Sequence, residues 1–192
     1  MRKRWIVLAL LSVLFLVGCA EGQDVSSMTI DEDGAVKSYI VEDFTASYYD
    51  AEELEASVSD NILYFNEKYE ETVVELTKFQ AEEGILKATI EYRSAKIYEE
   101  FNEETLFAGT IQDALAEDYD IDADFYSVKD MENKLAFADI EENFHIVIFS
   151  EPVNVEVAGK VLYVSDGLQK GSGSKKVTVA DDTKEIYYII YE

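Results

Sequence analysis

The feature that most constrains the fold of this chain is a series of short apolar segments in its C-terminal half. Residues 144–149 are apolar almost throughout, and four further segments follow, with Gly159 and Gly167 in the connections between them. A short, continuous apolar run is typical of a strand that is covered on both faces. We therefore predict strands over 144–149, 153–157, 160–165, 176–180 and 185–191.

Two hairpins are predicted in the N-terminal half. The Asp33-Gly34 pair between two short apolar runs predicts the first hairpin over 28–44, because such pairs favour tight hairpin turns. The second is predicted over 72–92, with its turn at Glu82-Glu83-Gly84. In its second strand, four apolar residues alternate with polar ones, which indicates one buried and one solvated face. These residues are Leu86, Ala88, Ile90 and Tyr92.

A helix is predicted between the two hairpins. Asp50 and Glu53 form a capping-box pair at its start. Four apolar residues then recur at helical spacing, which places them on one face. They are Leu54, Val58, Ile62 and Phe65. Shorter helices are predicted over 95–102 and, with Thr110 as its cap, over 111–117.

These elements together predict the α+β class. We expect a single antiparallel β-sheet-rich domain over 28–192, with one clear amphipathic helix and two or three short helices packed on the sheet. The segment 120–140 is compatible with strands or with a short helix. A chain of this length buries about 70% of the surface that is exposed when it is unfolded, which is enough for one sizeable core.

The N-terminus has the pattern of an export signal. Three cations, Arg2, Lys3 and Arg4, precede an apolar stretch over 5–17, which is too short to span a bilayer as a helix. It ends in Leu16-Val17-Gly18-Cys19, which resembles a bacterial lipobox. This resemblance implies recognition of residues 16–18 by the signal peptidase and a diacylglycerol group on Cys19.

The lipobox divides the chain into three parts. Residues 1–18 would be a lipoprotein signal peptide, 19–27 a lipidated flexible tether, and 28–192 the folded domain. The tether reaches at most about 30 Å when fully extended. We expect the protein on the outer face of the cytoplasmic membrane, where the lipid on Cys19 supplies the anchor and no further cofactor is expected.

A second, less specific resemblance covers most of the remaining chain. The Asp33-Gly34 hairpin, Tyr48-Tyr49-Asp50, the segment 159–165 and the tyrosine-rich C-terminal strand resemble small lipoproteins of Gram-positive, clostridial-type bacteria that have no assigned activity. The resemblance implies a location and no catalytic residue.

Candidate catalytic and metal-binding groups are few. His145 is the only imidazole, and it lies in an apolar run without a nucleophile motif nearby, so a strand histidine is expected. Asp118, Asp120, Asp122 and Asp124 alternate as calcium ligands can, but neither EF-hand register fits, because glycine and glutamate are missing at positions six and twelve. An acidic, solvated face is favoured, and an irregular calcium site stays open.

Two further motifs are better explained by structure than by ligand binding. The segment 171–176 lacks the Walker spacing and is predicted to link two strands. Tyr187, Tyr188 and Tyr191 are expected to pack in the terminal strand. Tyr48-Tyr49 either are exposed or pack at the entry of the first helix, which is favoured. Paired carboxylates suit glycoside hydrolysis, but 41 acidic residues make such pairs uninformative.

The charge narrows the possible partners. With 16 Lys and Arg against 41 Asp and Glu, the formal net charge is -25, which argues against nucleic acid because phosphates need basic neighbours. We expect a non-catalytic module that binds a protein, a peptide or an envelope component, with basic or metal-bridged partners favoured. A small-ligand or calcium-binding lipoprotein accessory to transport is the alternative, followed by an envelope hydrolase.

The lipobox makes a direct prediction about Cys19. Cells grown with a labelled fatty acid should incorporate the label into this protein, and Cys19→Ala should abolish it because the thiol is the acceptor. Ala20→Ser, one residue further along, is the matched control and should keep the label. Label retained in Cys19→Ala would contradict the lipobox interpretation.

Overall fold

The computed structural model describes residues 25–46 and 48–192, which form two β-sheets, three α-helices and one 3-10 helix. The strands are β1 (Ser27–Ile30), β2 (Val36–Asp43), β3 (Val74–Glu82), β4 (Ile85–Tyr92), β5 (Leu106–Thr110), β6 (Phe125–Ser127), β7 (Asp130–Leu135), β8 (His145–Phe149), β9 (Asn154–Val157), β10 (Val161–Ser165), β11 (Leu168–Lys170), β12 (Lys176–Val179) and β13 (Tyr187–Tyr191). The helices are α1 (Ala51–Glu67), α2 (Ala95–Asn102) and α3 (Ile111–Ala116), and the 3-10 helix is Phe137–Asp139.

Each sheet has its own strand order. Sheet A has seven strands in the order β11-β12-β9-β1-β2-β4-β3, and sheet B has six in the order β5-β8-β13-β10-β6-β7. Within the described residues, the β1–β9 pair is parallel and the other pairs are antiparallel. The predicted α+β class is confirmed, with about 20% helix and 41% strand.

The main hydrophobic core lies where the two sheets face each other. It combines Met28, Ile30 and Val155 of sheet A with Val147 and Ile189 of sheet B. A second hydrophobic cluster covers the other face of sheet B. There the alternate residues of β8 and β13, such as Ile146 and Ile190, pack against α3 and the segment that follows it. The central strands β8 and β13 of sheet B are therefore buried on both sides, which explains why 146–149 and 187–191 are apolar without alternation.

The first hairpin forms as predicted and extends slightly further toward the N-terminus. β1 pairs with β2 from Ser27 opposite Tyr39, and the Asp31 carboxylate accepts bonds from two backbone N–H groups of the turn. Ser26 is buried, and its hydroxyl exchanges two hydrogen bonds with the backbone of Val41. Ser26 and Ser27, which the sequence pattern assigns to the tether, thus belong to the folded part.

The predicted helices are confirmed. Asp50 caps α1 by accepting bonds from the N–H groups of Glu52 and Glu53. α2 has the predicted bounds, and Thr110 forms a reciprocal capping box with Asp113 at the start of α3. Among residues 25–46 and 48–192, no helix is both long enough and apolar enough to cross a lipid bilayer.

The strands that the sequence analysis did not predict are short, polar or both. β5 and β11 have only five and three residues, too few to establish a period. β7 is almost wholly exposed and has the sequence DMENKL, which lacks an apolar alternation. The ambiguous segment 120–140 contains the β6–β7 hairpin and the 3-10 helix. Pairing with neighbouring strands, rather than local pattern, makes these residues strands.

The outer edge of β3 is partly closed by a side chain of α1. The Asn66 amide oxygen accepts bonds of 3.0 Å from the N–H groups of Val73 and Val74, and its NH2 group donates a 2.8 Å bond to the Val74 carbonyl. Val73 and Val74 are buried, so these backbone groups have no ready access to water. Asn66 thus pairs with the edge as a neighbouring strand would.

We expect Asn66→Ala to lower the free energy of unfolding by about 2 kcal/mol, because it leaves buried backbone groups unpaired. Asn61→Ala, at an exposed position of the same helix, is the matched control and should change stability by less than about 0.5 kcal/mol. Urea unfolding followed by circular dichroism measures both variants. Equal effects of the two substitutions would show that the edge contacts contribute little.

Candidate functional site

The residues predicted for lipidation and signal cleavage lie outside the described part of the chain. This applies to Leu16, Val17, Gly18 and Cys19. Their roles remain predictions from sequence.

His145 is a strand residue, as predicted, and its side chain is exposed. It opens β8, and its ring stacks on Tyr191 with 5.2 Å between the ring centroids. Both residues line a cleft of about 200 Å³ together with Thr110 and Asp113. The Thr110 hydroxyl donates a 2.6 Å bond to Asp113, so it is engaged by the helix cap rather than by the imidazole.

The alternating aspartates form an acidic, solvated face. Asp118, Asp120, Asp122 and Asp124 are all exposed, whereas Ile121 between them is buried. The Asp124 carboxylate forms an ion pair with Lys134 of β7. Within the described ranges, no group of three or more His, Cys, Asp or Glu side chains is placed to hold a metal ion.

The loop and the tyrosines are arranged largely as the sequence suggests. Residues 171–175 connect β11 to β12, as predicted. Tyr187, Tyr188 and Tyr191 are buried in β13. Of the two alternatives for Tyr48-Tyr49, packing applies to Tyr49 and exposure applies to Tyr48. Tyr49 stacks on Phe44 with ring centroids 4.8 Å apart, and Tyr48 is 81% exposed.

A cluster around Glu151 was not anticipated. Glu151 follows β8, is half-buried, and accepts a hydrogen bond from the hydroxyl of the buried Tyr98 on α2. Next to it, the Ser150 hydroxyl donates a 2.7 Å bond to Glu104. Asn102, one turn further along α2, donates to the Tyr98 carbonyl. The one sequence signal is a carboxylate two residues after the apolar strand β8.

Burial and neighbouring charge perturb this cluster. Desolvation by burial raises the pKa of Glu151 above its usual range, and the nearby Glu104 charge raises it further, whereas the Tyr98 hydrogen bond opposes the shift. Partial burial and the Glu151 charge also raise the pKa of Glu42 at the end of β2. Glu151 lines neither the groove at Lys37 nor the cleft at His145.

The side of sheet A that faces away from sheet B forms an open, largely polar surface. Residues that pair directly across strands share a face, so the registers define two rows across the sheet. The Lys37 row consists of Glu75, Glu91, Lys37, Thr29, Glu156 and Lys176. The Tyr39 row consists of Lys78, Thr89, Tyr39, Ser27 and Asn154. We call the surface made by these two rows the open face.

A groove of about 480 Å³ lies at one end of the open face. Thr29, Lys37, Tyr39 and Glu91 contribute to its lining, and Asp31 and Arg93 lie at its end. Lys37 is 2.7 Å from the Glu91 carboxylate, and this hydrogen-bonded contact raises the pKa of Lys37. Arg93 pairs with Glu71. The groove therefore combines paired charges with two further carboxylates, Asp31 and Glu75, and with hydroxyl groups, buried apolar side chains such as Val73, and one exposed aromatic ring.

Comparisons with known proteins give no further information about these sites. Comparison of the chain with models of protein families, with curated proteins and with solved structures found no match.

The raised pKa of Glu151 predicts a specific pH dependence of stability. Because the folded state binds this proton more tightly than the unfolded state, the contribution of Glu151 is complete below the ordinary glutamate pKa of about 4.3 and is lost as pH rises through the raised value. Glu151→Gln stays neutral and can still accept from Tyr98. Relative to wild type, it should gain stability as pH rises from about 4 through the raised pKa of Glu151, and the difference should then stay constant.

Urea midpoints of wild type and variant across this pH range measure the difference. The exposed Glu132→Gln on β7 serves as the control and should track wild type. A difference that does not change with pH, or one that falls as pH rises, would contradict the assignment.

Proposed function

We propose that this chain is a non-catalytic binding module, held by a diacylglycerol group on Cys19 at the outer face of the cytoplasmic membrane. Its partner is a protein, a peptide or an envelope component, and it binds at the open face. The observation that carries the proposal is the open face itself, with a groove of about 480 Å³ that falls within the usual range of ligand clefts, about 300–1,000 Å³.

The groove lies along the strand that the proposed tether would enter. β1 starts at Ser27, so the eight residues from Cys19 span at most about 28 Å. The groove extends from Tyr39, which pairs with Ser27, to Asp31 and Ala35 of the first turn. A domain tethered through the start of β1 would therefore hold one end of the groove beside the anchor and the other end further from it.

The known side-chain contacts favour binding over catalysis. His145 stacks on Tyr191, and the Thr110 hydroxyl in its cleft donates to Asp113. Glu151, the carboxyl with a raised pKa, is bonded to Tyr98 and lies outside both clefts. These contacts support structural roles for both residues.

Site-specific crosslinking in intact cells tests the proposal. A photoreactive amino acid at position 39, on the open face, should give a reproducible adduct, and Cys19→Ala should remove it because proximity depends on the anchor. The same amino acid at position 132, on the exposed strand β7 of sheet B, is the matched control and should give none. Equal adducts from both positions, or none from position 39, would contradict a binding role for the open face.

A further inference from the structure

The Tyr39 row differs in charge from the rest of this acidic chain. Asp and Glu make up 41 of 192 residues, yet none lies in this row of five. In the adjacent Lys37 row, two carboxylates are already compensated. Glu91 lies 2.7 Å from Lys37, and Glu156 lies 3.5 Å from Lys176. The open face is thus close to neutral where the protein as a whole is strongly negative.

Glu75 and Lys78, the two remaining charged residues of these rows, lie on the edge strand β3. On the central strands, hydroxyl and amide groups lie beside the two ion pairs. Ser27 and Thr29 of β1 are half-buried, and Asn154 of β9 lies opposite Ser27. The side-chain oxygen Oδ1 of Asn154 accepts a 3.3 Å bond from the Val179 N–H group. Next to Ser27 lies the ring of Tyr39, which is 39% exposed, whereas Thr89 on the other side of this ring is buried. A tyrosine ring combines an apolar face with a polar tip.

We propose that the open face binds a neutral oligosaccharide, with a sugar ring stacked on Tyr39 and its hydroxyl groups bonded to the surrounding polar side chains. This inference rests on the proposed binding function and names the ligand class. A sugar ring has an apolar C–H face and a polar rim, and an exposed aromatic ring bordered by hydroxyl and amide groups matches both.

The dimensions of the surface agree with an extended chain. Neighbouring strands lie about 4.8 Å apart, so a row across five strands spans roughly 19 Å. The repeat of an extended β-linked pyranose chain is close to this strand spacing. Such a chain lying along the Tyr39 row would place successive rings over successive strands, with the groove alongside it.

Charge argues against the other classes of ligand. An anionic polymer would be repelled by a net charge of -25. A basic peptide would be attracted to the exposed carboxylates elsewhere, such as Asp118–Asp122, more than to the open face, where Glu91 and Glu156 already have lysine partners. A neutral, hydroxyl-rich ligand gains hydrogen bonds here without either penalty.

Isothermal titration calorimetry on the full-length protein in a detergent without sugar groups tests the inference. The probes are the neutral hexasaccharides of chitin, cellulose and amylose, together with hexalysine and hexagalacturonate. We expect saturable binding of at least one neutral hexasaccharide. Tyr39→Ala should weaken it about tenfold, and Tyr39→Phe, which keeps the ring, should stay within about threefold of wild type.

Tyr64→Ala, at an exposed tyrosine of α1, is the matched control and should bind as wild type does. No binding of any neutral hexasaccharide, an equal loss in Tyr64→Ala, or tighter binding of hexalysine that depends on Tyr39 would overturn the inference. Crosslinks from position 39 in cells, combined with any of these results, would leave the proposed binding function standing and reject only the oligosaccharide.

Discussion

β13 is buried along its whole length, from Tyr187 to Tyr191, and the rest of the structure depends on covering both of its faces. Tyr187, Ile189 and Tyr191 pack into the core between the sheets, whereas Tyr188 and Ile190 pack into the cluster on the opposite side. Burying each such side chain contributes about 1.5–3 kcal/mol. Sheet A covers one face, and α3 with the residues after it covers the other. One consequence is that sheet A uses its inner face for the core and leaves its outer face uncovered.

Several side chains form hydrogen bonds with backbone groups at strand edges and helix N-termini that lack a backbone partner. Asn66 pairs with the backbone of β3, Ser26 with that of Val41, and Asp50 and Thr110 cap their helices. Each contact satisfies backbone groups that would otherwise lose their bonds to water on folding. These contacts stabilise the periphery, and they leave the open face without any of the helices packed over its centre, since α1 contacts β3 and the other two helices contact mainly β5 and β8.

The charge of the chain is distributed unevenly over this framework. Carboxylates are placed on loops and exposed faces such as Asp118–Asp124, where solvent screens them. Two regions depart from this distribution of exposed carboxylates. Glu151 is drawn into a half-buried position beside Tyr98, which raises its pKa. On the open face, lysines pair with Glu91 and Glu156, and a row without acids crosses the sheet, which is the basis of the proposed site.

Much of the local structure could be predicted from the sequence. The two hairpins, α1 and α2, the Thr110 cap and the central strands β8 and β13 follow from turn residues, caps and apolar periods, because these signals act between residues close in the chain. The export signal and the lipobox proposed at Cys19 rest on local patterns too, and they remain predictions. Tertiary structure alone decided that β1 pairs in parallel with β9, that the polar segment Asp130–Leu135 becomes a strand, and that Tyr98 meets Glu151. It also aligned Tyr39, Ser27 and Asn154 in one row, because cross-strand register depends on packing between segments that are distant in sequence.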